Sequence, residues 1–272
     1  FLFEFDEWKK IIVRAAPIAV SIIFNLVYLR GDVLVMSFTR SQEEVGLYGA
    51  AFRVVEVLNT IPFLFMGVVL PVLTGAWGLA KEKFHSYIQL SFDVLAFLSL
   101  PIAAGGLVLS KQIMVILGGA EFAPAGGFLK ILLVAVVGVY LGAAFSHAIV
   151  AVNAQKKTIW VYAVNALIAV VGYAIFIPRY GAKAAAIITA LNEMLVPILI
   201  FMIIRRVAGV RVSFGKIVKI ILASGLMAAA IWPFAELPFV IPALVGITVY
   251  AALSIMLGII KPKEIKQLLS LK

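Results

Sequence analysis

Long apolar runs separated by short polar stretches set the pattern of this chain. A helix crossing a hydrocarbon core of ~30 Å needs about 20 such residues. Runs of that kind fall at 11–38, 47–78, 85–109, 126–152, 158–177, 181–204, 215–235 and 239–260. The pattern therefore predicts an all-α membrane protein with about eight transmembrane helices. Pro17, Pro62, Pro71, Pro101 and Pro197 lie inside these runs. Lipid-embedded helices tolerate proline where a neighbour satisfies the freed carbonyl, so kinks are expected. The longest link, 110–125, reads either as a short interfacial helix or as a plain connector.

Composition narrows the class. Hydrophobic residues make up 64% of the chain and charged residues 13%, with a mean hydropathy of +1.14, far from the balance of a soluble domain. The formal net charge is +10. The basic residues, however, form short clusters between apolar runs, which marks topology and contact with anionic membrane lipids; no nucleic acid is expected. With no cysteine, disulfides, thiolate metal sites and cysteine nucleophiles are excluded. His147 has no histidine or acid at helical spacing and reads as a hydrogen-bonded interfacial residue; His85 reads as exposed. Neither a metal site nor a cofactor is expected.

The charge of alternate links sets the expected orientation. Lys9, Lys10, Arg14, Lys81, Lys83, Lys156, Lys157 and the basic clusters at 205–219 and 261–272 fall on one side. Arg40, Lys111, Arg179 and Lys183 fall on the other, with Lys130 near a span end. This bias places both ends of the sequence on the cytoplasmic face of the cell membrane. The start, FLFEFDEWKK, has neither an initiator Met nor a signal-peptide pattern, and reads as the interior of a longer polypeptide. The expected organisation is a linker at 1–10, a six-helix lobe at 11–207, two additional spans at 208–260 and a basic tail at 261–272.

Charges inside the spans carry the candidate chemistry, because ionised groups at membrane depth are paired or functional. The first span carries Arg30 and Asp32, and the next carries Arg53 and Glu56. Folded as a hairpin about Gln42 and Glu43, these spans place Asp32 level with Arg53 and Arg30 level with Glu56. Two readings stand. In one, the quartet is a neutral set of structural ion pairs joining two helices. In the other, Arg30 and Arg53 line a water-filled cavity and attract an anionic head group, with Asp32 and Glu56 holding them in place. Asp93 and Glu193 lie near mid-depth with no basic residue of the chain expected at their level. Each is either an ion-coupling site for a proton or Na⁺, or a neutral acid held by Asn192, Asn165 or water.

Residues 153–191 read NAQKKTIWVYAVNALIAVVGYAIFIPRYGAKAAAIITAL. Asn153, Lys156 and Lys157 precede a span, Asn165 lies within it, and Pro178, Tyr180 and Gly181 form a turn before Ala184, Ala185 and Ala186. This resembles the polysaccharide-transporter branch of the MOP (multidrug, oligosaccharidyl-lipid, polysaccharide) exporter superfamily. Two further segments are similar to that branch: RGDVLVMSFTRSQEEVGLYGAAFRVVEVL and ILGGAEFAPAGGFLKIL. Lys183 departs from the pattern, standing with Ala184 and Ala185 where a small or apolar residue followed by Gly-Ala-Ala is usual.

The resemblance implies the C-terminal half of a two-lobed MOP-type flippase: six helices plus an additional pair, with the N-terminal lobe of the same chain missing. It implies no enzyme. The implied work is flipping a polyprenyl-diphosphate-linked oligosaccharide across the membrane by alternating access, for polysaccharide or glycan export. Competing readings are a cation-coupled multidrug antiporter, a peptidoglycan-precursor flippase of the same superfamily, and a non-transporting partner subunit. A membrane enzyme acting on lipid-linked sugars is disfavoured because the links are short and poor in acid, His or Arg constellations.

Overall fold

The computed structural model describes residues 30–259, together with Phe5 and Trp8. The rest of the expected linker at 1–10, the first span up to residue 29 with Pro17, and the basic tail at 261–272 lie outside the described residues. The helices are α1 (30–39), α2 (Gln42–Leu79), α3 (Lys81–Gly118), α4 (Ala125–Ala151), α5 (Ile159–Ala208), α6 (Gly215–Ile231) and α7 (Val240–Met256). No strand occurs among the described residues. By length and composition five helical stretches can cross a membrane, and α7 is a shorter apolar helix.

Helix α5 is two spans rather than one. The Tyr173 and Thr189 hydroxyls share a hydrogen bond of 2.9 Å, although sixteen residues of straight helix would separate them by ~24 Å. The fold-back occurs at Gly181, whose φ of 64° and ψ of −149° break the helix in a region that suits glycine. The break is capped from outside. Arg40 donates to the carbonyls of Ile177 (3.0 Å) and Pro178 (3.2 Å), which lose their helical partners across the turn. Glu44 accepts from the Ala182 N–H at 2.7 Å, a carboxylate at a helix N-terminus. The short α1–α2 turn is thereby clamped onto the Gly181 turn. This shared end is called the Gly181 end below, and the other the Ala80 end.

Proline kinks are satisfied across helices. Pro62 removes the N–H that would bond the Leu58 carbonyl, and the Tyr140 hydroxyl of α4 donates to that carbonyl at 2.9 Å. Pro101 does the same to Phe97, and the Tyr250 hydroxyl of α7 donates there at 2.8 Å. Pro197 frees the Glu193 carbonyl, and Gly138 of α4 packs against it. A Cβ at Gly138 would stand 2.2 Å from that oxygen, and one at Gly142 would stand 3.3 Å from Pro197. The Gly-x-x-x-Gly spacing thus lets α4 lie against the second arm of α5.

Buried apolar residues of α1 to α5 form one cluster; Ala96, Ile220, Ala223, Met227 and Tyr250 head a second, in which α6 and α7 pack on α3. The structure corrects two expectations here. The link expected at 110–125 is mostly helix: α3 continues to Gly118, where Gly119 at φ 90° stops it, and one 3₁₀ turn (Ala120–Phe122) leads into α4. His85 is half-buried rather than exposed, and bonds the Ala208 carbonyl at 3.0 Å, tying α3 to the end of α5. His147 bonds the Ala143 carbonyl of its own helix at 2.8 Å.

Candidate functional site

A cavity of about 550 Å³ lies between α1, α2 and the two arms of α5. Helical spacing selects its walls. From α2 come Phe52, Glu56, Asn59, Thr60 and Phe63, all on one face; the first arm of α5 gives Asn165, Ala169 and Tyr173 in steps of four. Thr189, Asn192 and Glu193 come from the second arm, and Arg30 and Asp32 from α1. Gly31, between the two α1 charges, is buried, and a Cβ there would touch the Tyr173 ring at 3.7 Å. Arg30 and Glu56 lie about ten and fifteen residues from the α1–α2 turn, and Glu193 twelve from Gly181. At ~1.5 Å per residue the cavity is centred ~15–20 Å below the Gly181 end, in the middle of a ~30 Å core.

The charges form two separate groups. Arg30 pairs with Glu56, and its guanidinium sits over the Phe52 ring, 5.3 Å from the centroid. Arg53 bonds the other Glu56 oxygen at 2.9 Å from outside the cavity, its side chain 75% exposed. Asp32 does not reach Arg53, which corrects the second expected pairing. Its carboxylate accepts from the Tyr48 hydroxyl at 2.5 Å and the Val33 N–H at 2.7 Å. Tyr48 is fully buried. Depth was equal but azimuth was not: on α2, Tyr48, Phe52 and Glu56 follow in steps of four, and Arg53 is turned about 100° away from Phe52.

Asp93 is the second correction. Lys216 reaches it at 3.3 Å, and Gln89 donates to it at 2.8 Å. The cause is the path of the α5–α6 link. Gln89 also bonds the backbone of Ser213 through its amide, accepting from Ser213 N–H at 2.7 Å and donating to Ser213 C=O at 3.1 Å. The 209–214 link therefore climbs α3 by two turns before α6 begins, carrying Lys216 to the level of Asp93. Asp93 stands outside the cavity, whereas Glu193 lines it. Among the described residues Glu193 makes no side-chain hydrogen bond or ion pair, and no group of three His, Asp or Glu is arranged to hold a metal.

Comparison with known proteins fixes the architecture. No family model matches the sequence, and no curated protein matches it significantly. Solved structures do. The chain aligns with the lipid II flippase MurJ, in an inward closed conformation, at a TM-score of 0.76 and 18% identity, covering 94% of this chain and 56% of that one. It aligns with a MOP superfamily transporter from Pyrococcus furiosus at 0.59 and 17%, covering 90% and 63%. This chain has the MOP-transporter fold. It spans little more than half the length of the MurJ structure.

Within that MOP-type fold, four of the residues singled out from the sequence, Arg30, Asp32, Glu56 and Glu193, line one cavity, whereas Arg53 and Asp93 do not line it. Tyr48, Phe52, Asn59, Thr60, Tyr173 and Thr189 escaped the sequence reading. The signal available for them was the four-residue stepping of small polar and aromatic residues along α2 and α5, running from Tyr48 to Phe63 and from Asn165 to Tyr173.

Proposed function

We propose that this chain is one lobe of a membrane flippase that moves a polyprenyl-diphosphate-linked oligosaccharide across the bilayer by alternating access. The observation that carries this reading is Arg30, a guanidinium held by Glu56 and Phe52 inside a polar cavity at mid-membrane depth. A diphosphate entering the cavity competes with Glu56 for that planar fork. Asn59 presents a buried amide oxygen without a hydrogen-bond donor among the described residues, and Thr60, Asn165 and Asn192 add groups suited to sugar hydroxyls. The lipid tail stays in hydrocarbon while the polar head travels through the cavity. The missing opposite wall is assigned to an N-terminal lobe of the same polypeptide, and both ends of the present sequence to the cytoplasmic face of the cell membrane. The shared fold with a structure described as a lipid II flippase supports a lipid-linked substrate.

Glu193 is the proposed ion-coupling residue, since it lines the cavity and makes no ion pair among the described residues. Asp93, held by Lys216 and Gln89, is assigned a structural role. One observation favours the rival cation-coupled drug antiporter: three carboxyl groups, Asp32, Glu56 and Glu193, face the cavity with one guanidinium.

The present sequence contains no cysteine, so once any cysteine elsewhere in the native polypeptide is replaced, single cysteines report directly. Thr60→Cys and Ala169→Cys in the native polypeptide are expected to react with a membrane-impermeant thiol reagent, and a polyprenyl-diphosphate oligosaccharide is expected to slow both. Protection by an organic cation, with none by the lipid-linked saccharide, would reverse the choice of substrate.

A further inference from the structure

A second cavity, of about 710 Å³, lies at the Gly181 end between α3, α4 and the 232–239 link. Two cations line it, Lys111 of α3 and Lys130 of α4. Their convergence follows from backbone packing. A Cβ at Gly126 would stand 2.8 Å from the Lys111 Cα, so α4 crosses α3 in close contact there. Lys130 follows Gly126 by one turn on the same face. Neither ammonium has a hydrogen bond or ion pair among the described residues. Gln112 fixes the opposite wall by donating to the carbonyls of Ala235 and Leu237.

Depth and charge identify the occupant. From the midpoints of their helices, Lys111 is ~17 Å and Lys130 ~12 Å away at 1.5 Å per residue. They straddle the ~15 Å half-thickness of the hydrocarbon core, from which a lysine stem reaches outward to the phosphates of the adjoining headgroup layer. Exposed Trp232 on the same cavity is a residue type favoured at that boundary. Glu236 also lines the space, which leaves one net positive charge. A phosphodiester carries one negative charge. Phe239 lines this cavity and also an apolar cavity of about 540 Å³ walled mainly by α3, α6 and α7, with α2 and α4 behind, so an acyl chain has an apolar continuation that a free anion would not use.

From this we infer that the Lys111–Lys130 cavity binds the headgroup of an anionic phospholipid in the leaflet at the Gly181 end. The inference is independent of the transport reading, because it concerns a resident bilayer lipid at a site outside the Arg30 cavity.

Native mass spectrometry tests it, on the protein in nanodiscs or detergent supplied with phosphatidylglycerol, phosphatidylcholine or inorganic phosphate. Retention of phosphatidylglycerol over phosphatidylcholine is expected for the unaltered protein, with a loss in affinity of roughly tenfold or more in K111A/K130A. K111R/K130R is expected to retain the lipid, and the charge-matched K156A/K157A at the Ala80 end to leave it bound. Equal retention by K111A/K130A, equal binding of phosphatidylcholine, or displacement by millimolar inorganic phosphate would each overturn the assignment.

Discussion

The Tyr140 hydroxyl donates at 2.9 Å to the Leu58 carbonyl, the group that Pro62 deprives of its helical partner. The two residues come from different helices, so the bond both satisfies a kink and fixes how α4 meets α2. Tyr140→Phe is expected to lower stability by about 1–3 kcal/mol, the range for leaving a buried acceptor unsatisfied. Pro62→Ala restores the N–H donor, and in that background Tyr140→Phe is expected to cost far less. A thermal double-mutant cycle in detergent measures this; additive effects would show that the hydroxyl serves something other than the kink.

Gly181 and Glu44 give a second prediction. A Cβ at Gly181 would stand 2.0 Å from a Glu44 oxygen and would need a φ of 64°. Gly181→Ala is expected to cost more than about 1 kcal/mol, and Glu44→Gln less, since an amide oxygen still accepts from Ala182. Denaturation midpoints of the two variants check the order.

The Asp93–Lys216 pair anchors the start of α6 to α3. Lys216→Ala leaves a carboxylate that is 8% exposed without its cation, and a loss of about 3 kcal/mol is expected. Asp93→Asn in the same chain is expected to recover part of it. If Lys216→Ala instead changed transport coupling with stability untouched, Asp93 would regain the coupling role assigned here to Glu193.

How far the sequence reveals this arrangement depends on which coordinate is asked for. Depth along a span follows from counting residues, which is why Arg30 and Glu56 meet as hairpin counting expects. Azimuth requires knowing which helix face is buried, and Asp32 found Tyr48 rather than Arg53 for that reason. The Lys216 contact depends on the climb of the 209–214 link, a tertiary path with no local signature. The turn at Pro178, Tyr180 and Gly181 was legible because its backbone chemistry is local. The partners that satisfy the prolines, Tyr140 and Tyr250, were not, since they lie 82 and 153 residues from the carbonyls they cap.

The two arginines of the hairpin separate in the structure and are expected to separate in function. Arg30 lines the cavity, whereas Arg53 is exposed and among the described residues reaches only Glu56. Arg53→Ala is therefore expected to slow transport by no more than about threefold, in line with the small worth of an exposed ion pair. Arg30→Ala removes the cation from the cavity, and a loss of at least about tenfold is expected for a charge-assisted contact.

The most direct measurement is the rate at which the native polypeptide, in proteoliposomes, moves a polyprenyl-diphosphate-linked oligosaccharide between leaflets, read beside the Arg30→Ala and Arg53→Ala variants. Flipping by the unaltered protein, near-loss with Arg30→Ala and modest slowing with Arg53→Ala are expected. Flipping that persists unchanged in a folded Arg30→Ala protein, or transport of organic cations with no movement of the lipid-linked saccharide, would contradict the flippase reading.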